Sequence, residues 1–211
     1  MLLTMEQKPV TAIEKLVESV VKIALKEWDM PEVEKGFLSR GYGALYPKEG
    51  QLGRSDLRPD HVGINATSGG AGTDGLGGDQ WSNNLVYTHT NNLTGWVLDR
   101  NITTDEDAFL IIEGIKDLAP NPLLNAVQFS VGGVDYPAMN IRDIYLFDPF
   151  GMGWFPKPFW VPPKVNFKIY YRWDNDVVAR SAIIVGSEFA GLIGEVVAKS
   201  AFLQKQTHSI S

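Results

Sequence analysis

Hydrophobic positions along this chain change their period. Near the start, Ile13, Leu16, Val17, Val20, Ala24 and Trp28 fall on one face at helical spacing, while Lys15, Glu18, Lys22 and Lys26 lie off that stripe. The spacing predicts an amphipathic helix over 12–28, with Thr11 and Glu14 as a capping box and Pro31 beyond its end. Such a helix either packs on its own domain or serves as an arm that docks on a partner.

After Trp81 the period becomes two. Residues 85–90, 95–99, 108–115 and 126–131 read as strands with turn residues between them. Gly132-Gly133 suits a hairpin turn into 134–136, and a further strand is expected over 141–147. Val165, Phe167, Ile169 and Tyr171 alternate with Asn166, Lys168, Tyr170 and Arg172, so one face of this run belongs in a core. A turn over 173–176 and a returning strand over 177–185 complete that hairpin. A last helix is predicted over 188–203, capped by Ser187, with Phe189, Leu192, Ile193, Val196 and Val197 on one side and Gly191 and Gly194 weakening it.

A series of about seven or eight short strands with no helices between them argues for two packed antiparallel sheets. The expected fold class is therefore mainly β: an antiparallel β-sandwich over 81–186, with an N-terminal helical arm over 1–35 and a C-terminal helix and tail over 187–211. Residues 36–80 are rich in Gly, Ser, Asp and Asn with few apolar anchors, and are expected to be extended or mobile. Within them Gly70-Ala71-Gly72-Thr73-Asp74-Gly75 matches a dinucleotide fingerprint by letter, but no buried strand precedes it and no amphipathic helix follows to receive a pyrophosphate.

The most unusual stretch is 147–163, where Phe147, Phe150, Trp154, Phe155, Phe159 and Trp160 are interleaved with five prolines. Proline lacks the N–H that a helix or central strand needs, which predicts an irregular or polyproline-like loop. A loop this apolar requires a cover, supplied by its own domain, a neighbouring subunit, a peptide or a membrane interface. The candidate contact residues are Phe150, Trp154, Phe155, Phe159 and Trp160, together with Trp28 on the helix.

Composition narrows the chemistry. Asp and Glu number 25 against 19 Lys and Arg, a formal charge of −6 over 211 residues, so no general attraction to nucleic acid is expected. The chain has no cysteine, which excludes disulfides, thiolate metal sites and cysteine nucleophiles. No signal peptide and no membrane-spanning run is read from the sequence. Three Asn-x-Thr tripeptides, at Asn65, Asn92 and Asn101, are read as chance matches in the absence of a secretory route.

Of the three histidines, His61 falls in the Gly-rich segment, His208 in the tail, and His89 in a Thr-His-Thr strand that suits a cross-strand polar role. The acidic runs Asp105-Glu106-Asp107 and Asp174-Asn175-Asp176 are read as solvated turns rather than calcium sites. No catalytic residue, cofactor or metal is assigned, although a site built from scattered Asp, Glu and Tyr residues is the enzyme alternative.

A helical arm, a Gly-rich segment, a sandwich of short strands and a long apolar loop together resemble the jelly-roll capsid proteins of prokaryotic viruses. The resemblance covers the arrangement from about Trp81 to Val185 with an arm at each end; it carries no local motif, and so no residue role. It implies a self-assembling structural subunit of a virion shell, whose partners are other copies of itself, other shell proteins or a membrane surface. The alternative is a carbohydrate- or peptide-binding β-sandwich module, cytoplasmic rather than virion-borne, using Trp154, Phe155, Phe159 and Trp160 as a platform.

Overall fold

A computed structural model describes residues 8–30, 52–62, 96–117, 124–141, 151–173, 190–199 and 202–203. Among the described residues the elements are one α-helix, α1 (Val10–Glu27), a 3-10 turn (Pro59–Val62) and nine strands: β1 (Leu52–Asp56), β2 (Trp96–Thr103), β3 (Ala108–Asp117), β4 (Leu124–Val131), β5 (Val134–Asp135), β6 (Met139–Asn140), β7 (Met152–Val161), β8 (Asn166–Trp173) and β9 (Ala190–Lys199). All pairings are antiparallel. One sheet runs β1-β9-β3-β7 and the other β2-β8-β4, with β5 and β6 on the outer edge of β4.

The two sheets face each other across a core of Leu110, Ile112, Val161 and Val196 from the first and Val127, Phe129, Phe167 and Ile169 from the second. Phe129 sits at its middle, 5.8 Å from the ring of Phe155 and 6.0 Å from that of Phe167. The molecule is thus a β-sandwich, and the alternation predicted for 165–171 places Phe167, Ile169 and Tyr171 inside.

The far side of the four-stranded sheet carries α1 as a third layer. Ile13, Val17, Val20, Val21, Ala24 and Leu25 bury against Leu52, Phe109, Ile111, Trp154 and Val197, a second cluster sharing no residue with the inter-sheet core. β3 supplies both, with Leu110 and Ile112 on one face and Phe109 and Ile111 on the other. Among the described residues, no helix is long and apolar enough to cross a membrane.

The helix starts at Val10 with Pro9 as its cap and no side-chain cap hydrogen bond, so the capping box does not form. Thr11 already lies inside the first turn, where its hydroxyl is out of position to cap. At the other end, the Met30 N–H donates to Leu25 C=O at 2.8 Å and Asp29 N–H to Lys26 C=O at 3.4 Å, with Asp29 at φ 50°. This is a Schellman closure with an aspartate in the left-handed position that glycine favours. Asp29→Gly is expected to raise stability by about 0.5–1 kcal/mol in urea unfolding; an unchanged midpoint would remove this account of the helix end.

Three sequence expectations are corrected. First, 190–199 is not part of a C-terminal helix but strand β9, the inner strand between β1 and β3. Leu192, Val196 and Ala198 point into the sandwich, while Ile193 and Val197 point to α1, so a strand buried on both faces gave near-continuous apolar residues that also fit a helical stripe. Second, 152–161 is not an irregular loop but β7, the edge strand beside β3. Its register jumps from Phe159 opposite Ile112 to Trp154 opposite Gly114, leaving residues 155–158 facing the single residue Glu113. Pro156 and Pro158 occupy this bulge on an edge strand, where a missing N–H costs no ladder bond. Third, Leu52–Asp56, inside the Gly-rich segment, is an ordered strand paired with β9, and so the sheets draw on 36–80 and 187–211 as well as 81–186. The strands expected over 85–90 and 177–185, that over 141–147 beyond Ile141, the 70–75 fingerprint, the 173–176 turn beyond Trp173 and the Ser187 cap lie outside the described residues.

Candidate functional site

The bulge in β3 creates the one chemically unusual place among the described residues. Register breaks between Ile112 and Gly114 against both neighbours: against β9 Glu113 is an extra residue, and against β7 it alone stands opposite 155–158. The slip lets Ile112 and Ile115, three apart, both enter the inter-sheet core. It also leaves the Glu113 side chain among groups on the helix side of the sheet, with the residue only 2 % exposed.

Two glycines make the bulge possible. A Cβ on Gly194 would stand 2.0 Å from the Ile111 carbonyl oxygen, and one on Gly114 would stand 2.3 Å from that of Gly153. Backbones approach here more closely than any side chain allows.

Around Glu113 the charges come from three other elements. Lys8, just ahead of α1, places Nζ 3.7 Å from Glu113 Oε2 and 5.5 Å from the centre of the Trp154 ring. Arg54 on β1 is buried and engages Glu195 on β9 with two donors, Nε to Oε2 and Nη2 to Oε1 at 2.6 Å. The same Nη2 lies 3.7 Å from Glu14 Oε1 on α1. Glu113 Oε1 and Trp154 Nε1 are buried with no hydrogen-bond partner among the described residues.

Burial, and next the nearby charge of Glu195, push the Glu113 carboxyl up from 4.5 to about 7, against the smaller opposing pull of Lys8 and Arg54. The cluster therefore can bind and release a proton near neutrality. Among the described residues, no group of three His, Asp or Glu side chains is placed to hold a metal ion.

The residues singled out from the sequence lie elsewhere or play other parts. Alternation along β7 divides its rings: Phe155 and Phe159 turn into the sandwich, while Trp154 and Trp160 turn to the helix layer. Trp154 is 5 % exposed and Phe155 1 %, so the chain's own core covers both and neither presents a contact face. Phe159 packs on Tyr136 at 4.8 Å and Trp160 on Phe109 at 5.7 Å, each half-buried. Trp28 meets Phe109 edge-on at 5.2 Å, with Lys199 Nζ 5.0 Å from its ring centre. Phe150, His89 and His208 lie outside the described residues.

His61 is more rigidly placed than its Gly-rich neighbourhood suggested. It is buried in a short 3-10 turn, Pro59–Val62, where Nδ1 accepts from the Arg58 N–H at 3.0 Å and the ring lies 5.6 Å from Phe202. The Asp105–Asp107 stretch is a paired turn: Asp105 Oδ1 accepts from Asp107 N–H at 2.9 Å, Glu106 meets Lys164 at 2.9 Å and Asp107 meets Lys199 at 2.7 Å.

Sequence reasoning missed Lys8, Arg54, Glu113 and Glu195 altogether and gave Glu14 only a capping role. One signal was present, since Glu113 interrupts Phe109-Leu110-Ile111-Ile112 and Gly114-Ile115, an ionisable residue inside a run apolar enough to be buried on both faces. No family model matches this sequence, and no curated protein shows significant similarity to it.

Proposed function

We propose that the chain is a structural, self-assembling subunit, of the kind that builds a virion shell with a jelly-roll-like sandwich. The observation that carries this reading is the separateness of α1. Its contact with the sheet is a self-contained apolar interface outside the inter-sheet core, and residues 31–51 join it to β1. The covalent reach of a stretch of that length is at most about 70 Å. The same contact is therefore available to the helix of a neighbouring copy, and exchange of such an arm links subunits without any new surface.

On this reading the chain is not an enzyme and needs no cofactor; its partners are other copies of itself, with other shell proteins or a membrane surface as further neighbours. A glycan- or peptide-binding module would need open ring faces, and the burial of Trp154 and Phe155 weighs against that alternative.

Sedimentation velocity over a dilution series tests the proposal. The full chain is expected to form species larger than a monomer, and Val20→Asp, which puts a charge into the helix contact, is expected to return it to monomers that keep their β-type circular dichroism. A full chain that stays monomeric at every concentration, or assembly that persists in Val20→Asp, overturns arm exchange.

A further inference from the structure

We propose that Glu113 is a proton-operated latch for α1, which docks tightly on the sheet while the Glu113 carboxyl is protonated and loosens when it ionises. The latch concerns the docking of the helix itself and stands whether or not the helix is exchanged between copies.

The geometry supplies the reason. The charged groups acting on the carboxyl are Lys8 ahead of α1, Arg54 on β1 and Glu195 on β9; Lys8 also lies over the Trp154 ring of β7, and Glu14 on α1 meets Arg54. Glu195 sets a second negative charge beside Glu113, opposed by Lys8 and Arg54. Arg54 is committed to Glu195 through two donors, which leaves Glu113 with Lys8 as its nearest cation, at 3.7 Å and with its side chain 39 % exposed to screening water.

Glu113 is also the member that water reaches least, with one carboxylate oxygen lacking a hydrogen-bond partner among the described residues. Ionisation there carries a desolvation cost that only hydration relieves. The strands beside Glu113 are tied into the sheet by their ladders, whereas among the described residues α1 meets the sheet through side chains. Lifting the helix is therefore the route by which water arrives.

The direction with pH follows from the raised proton affinity, from 4.5 to about 7. Below 4.5 both docked and undocked states hold the proton and docking is indifferent to pH. Between 4.5 and about 7 the docked state alone holds it, so docking weakens as pH rises, by up to about 300-fold in the docking equilibrium, and then levels off.

Two measurements on the full chain, kept dilute enough to be monomeric, test this. The carboxyl carbon of Glu113, followed by NMR, is expected to titrate near 7; a midpoint near 4.5 overturns the latch. Hydrogen-exchange protection of α1 amides, corrected for intrinsic rates, is expected to fall between pH 5.5 and 8.5 while that of β8 does not. Glu113→Gln should abolish the fall, and Lys8→Ala, a milder change at a half-exposed site, should move its midpoint to higher pH. Protection of α1 that is flat in the wild type, or that falls equally in Glu113→Gln, rules the latch out. If Glu113→Gln does not fold, the carboxyl titration and the Lys8→Ala shift still decide.

Discussion

Gly194→Ala is expected to cost roughly 3–5 kcal/mol, more than the 1–3 kcal/mol usual for an overfilled core. The added methyl would lie 2.0 Å from the Ile111 carbonyl oxygen, and backbone, unlike a flexible side chain, cannot swing aside. β9 and β3 would have to part at the bulge, breaking ladder bonds in the middle of the four-stranded sheet. Since domains of this kind are stable by only about 5–15 kcal/mol, the loss should appear as a large drop in the urea midpoint. Gly133→Ala is the control: nothing lies within 4 Å of its Cβ, and φ of +84° alone costs about 1 kcal/mol. Equal effects at the two positions would show that backbone freedom, and not close approach, explains Gly194.

Arg54→Met should be comparably damaging. It leaves Glu195 and Glu14 without their shared cation beneath the helix, and removing one partner of a buried pair costs about 3–5 kcal/mol. The loss should be smaller at pH 5 than at pH 8, because Glu113, pushed up to about 7, is protonated at the lower pH and adds no third negative charge to the cluster. The double change Arg54→Met with Glu195→Met removes the buried pair and should recover most of the stability, with the coupling read from a double-mutant cycle in urea. A single variant within about 0.5 kcal/mol of the wild type would mean that water already shields the pair.

How much of this was legible beforehand depended on whether one face or two is buried. Strand β8 buries one face, so Phe167, Ile169 and Tyr171 alternate cleanly with polar neighbours and its place was evident. β9 buries both faces, which erases the period of two; Leu192, Ile193, Val196 and Val197 then satisfy a helical spacing equally well. β7 was obscured for another reason. Pro156 and Pro158 forbid a central strand, but the rule is silent about an edge strand that bulges where they fall. Helix α1 was readable from its stripe because its exposed face stays polar, though Pro9 rather than Thr11 marks its start.

The charged cluster was illegible for a more basic reason. Arg54 and Glu195 stand 141 positions apart, and nothing in either neighbourhood announces the other. Only the strand order β1-β9-β3 brings them together with Glu113.

That strand order also governs when the molecule can form. Emerging from a ribosome, α1 appears first, yet the sheet it rests on lacks an inner strand until residues 190–199 have been made, because β9 fills the gap between β1 and β3. Assembly of this sheet accordingly waits on β9, with the loop-closure cost and slow kinetics expected of such distant pairings. In the interval, the apolar stripe of Ile13, Val17 and Val20 and the strand faces bearing Phe109 and Ile111 have no finished counterpart. Those faces stay uncovered until β9 has been made, an interval in which aggregation competes with folding and holding by a chaperone is expected to raise the yield.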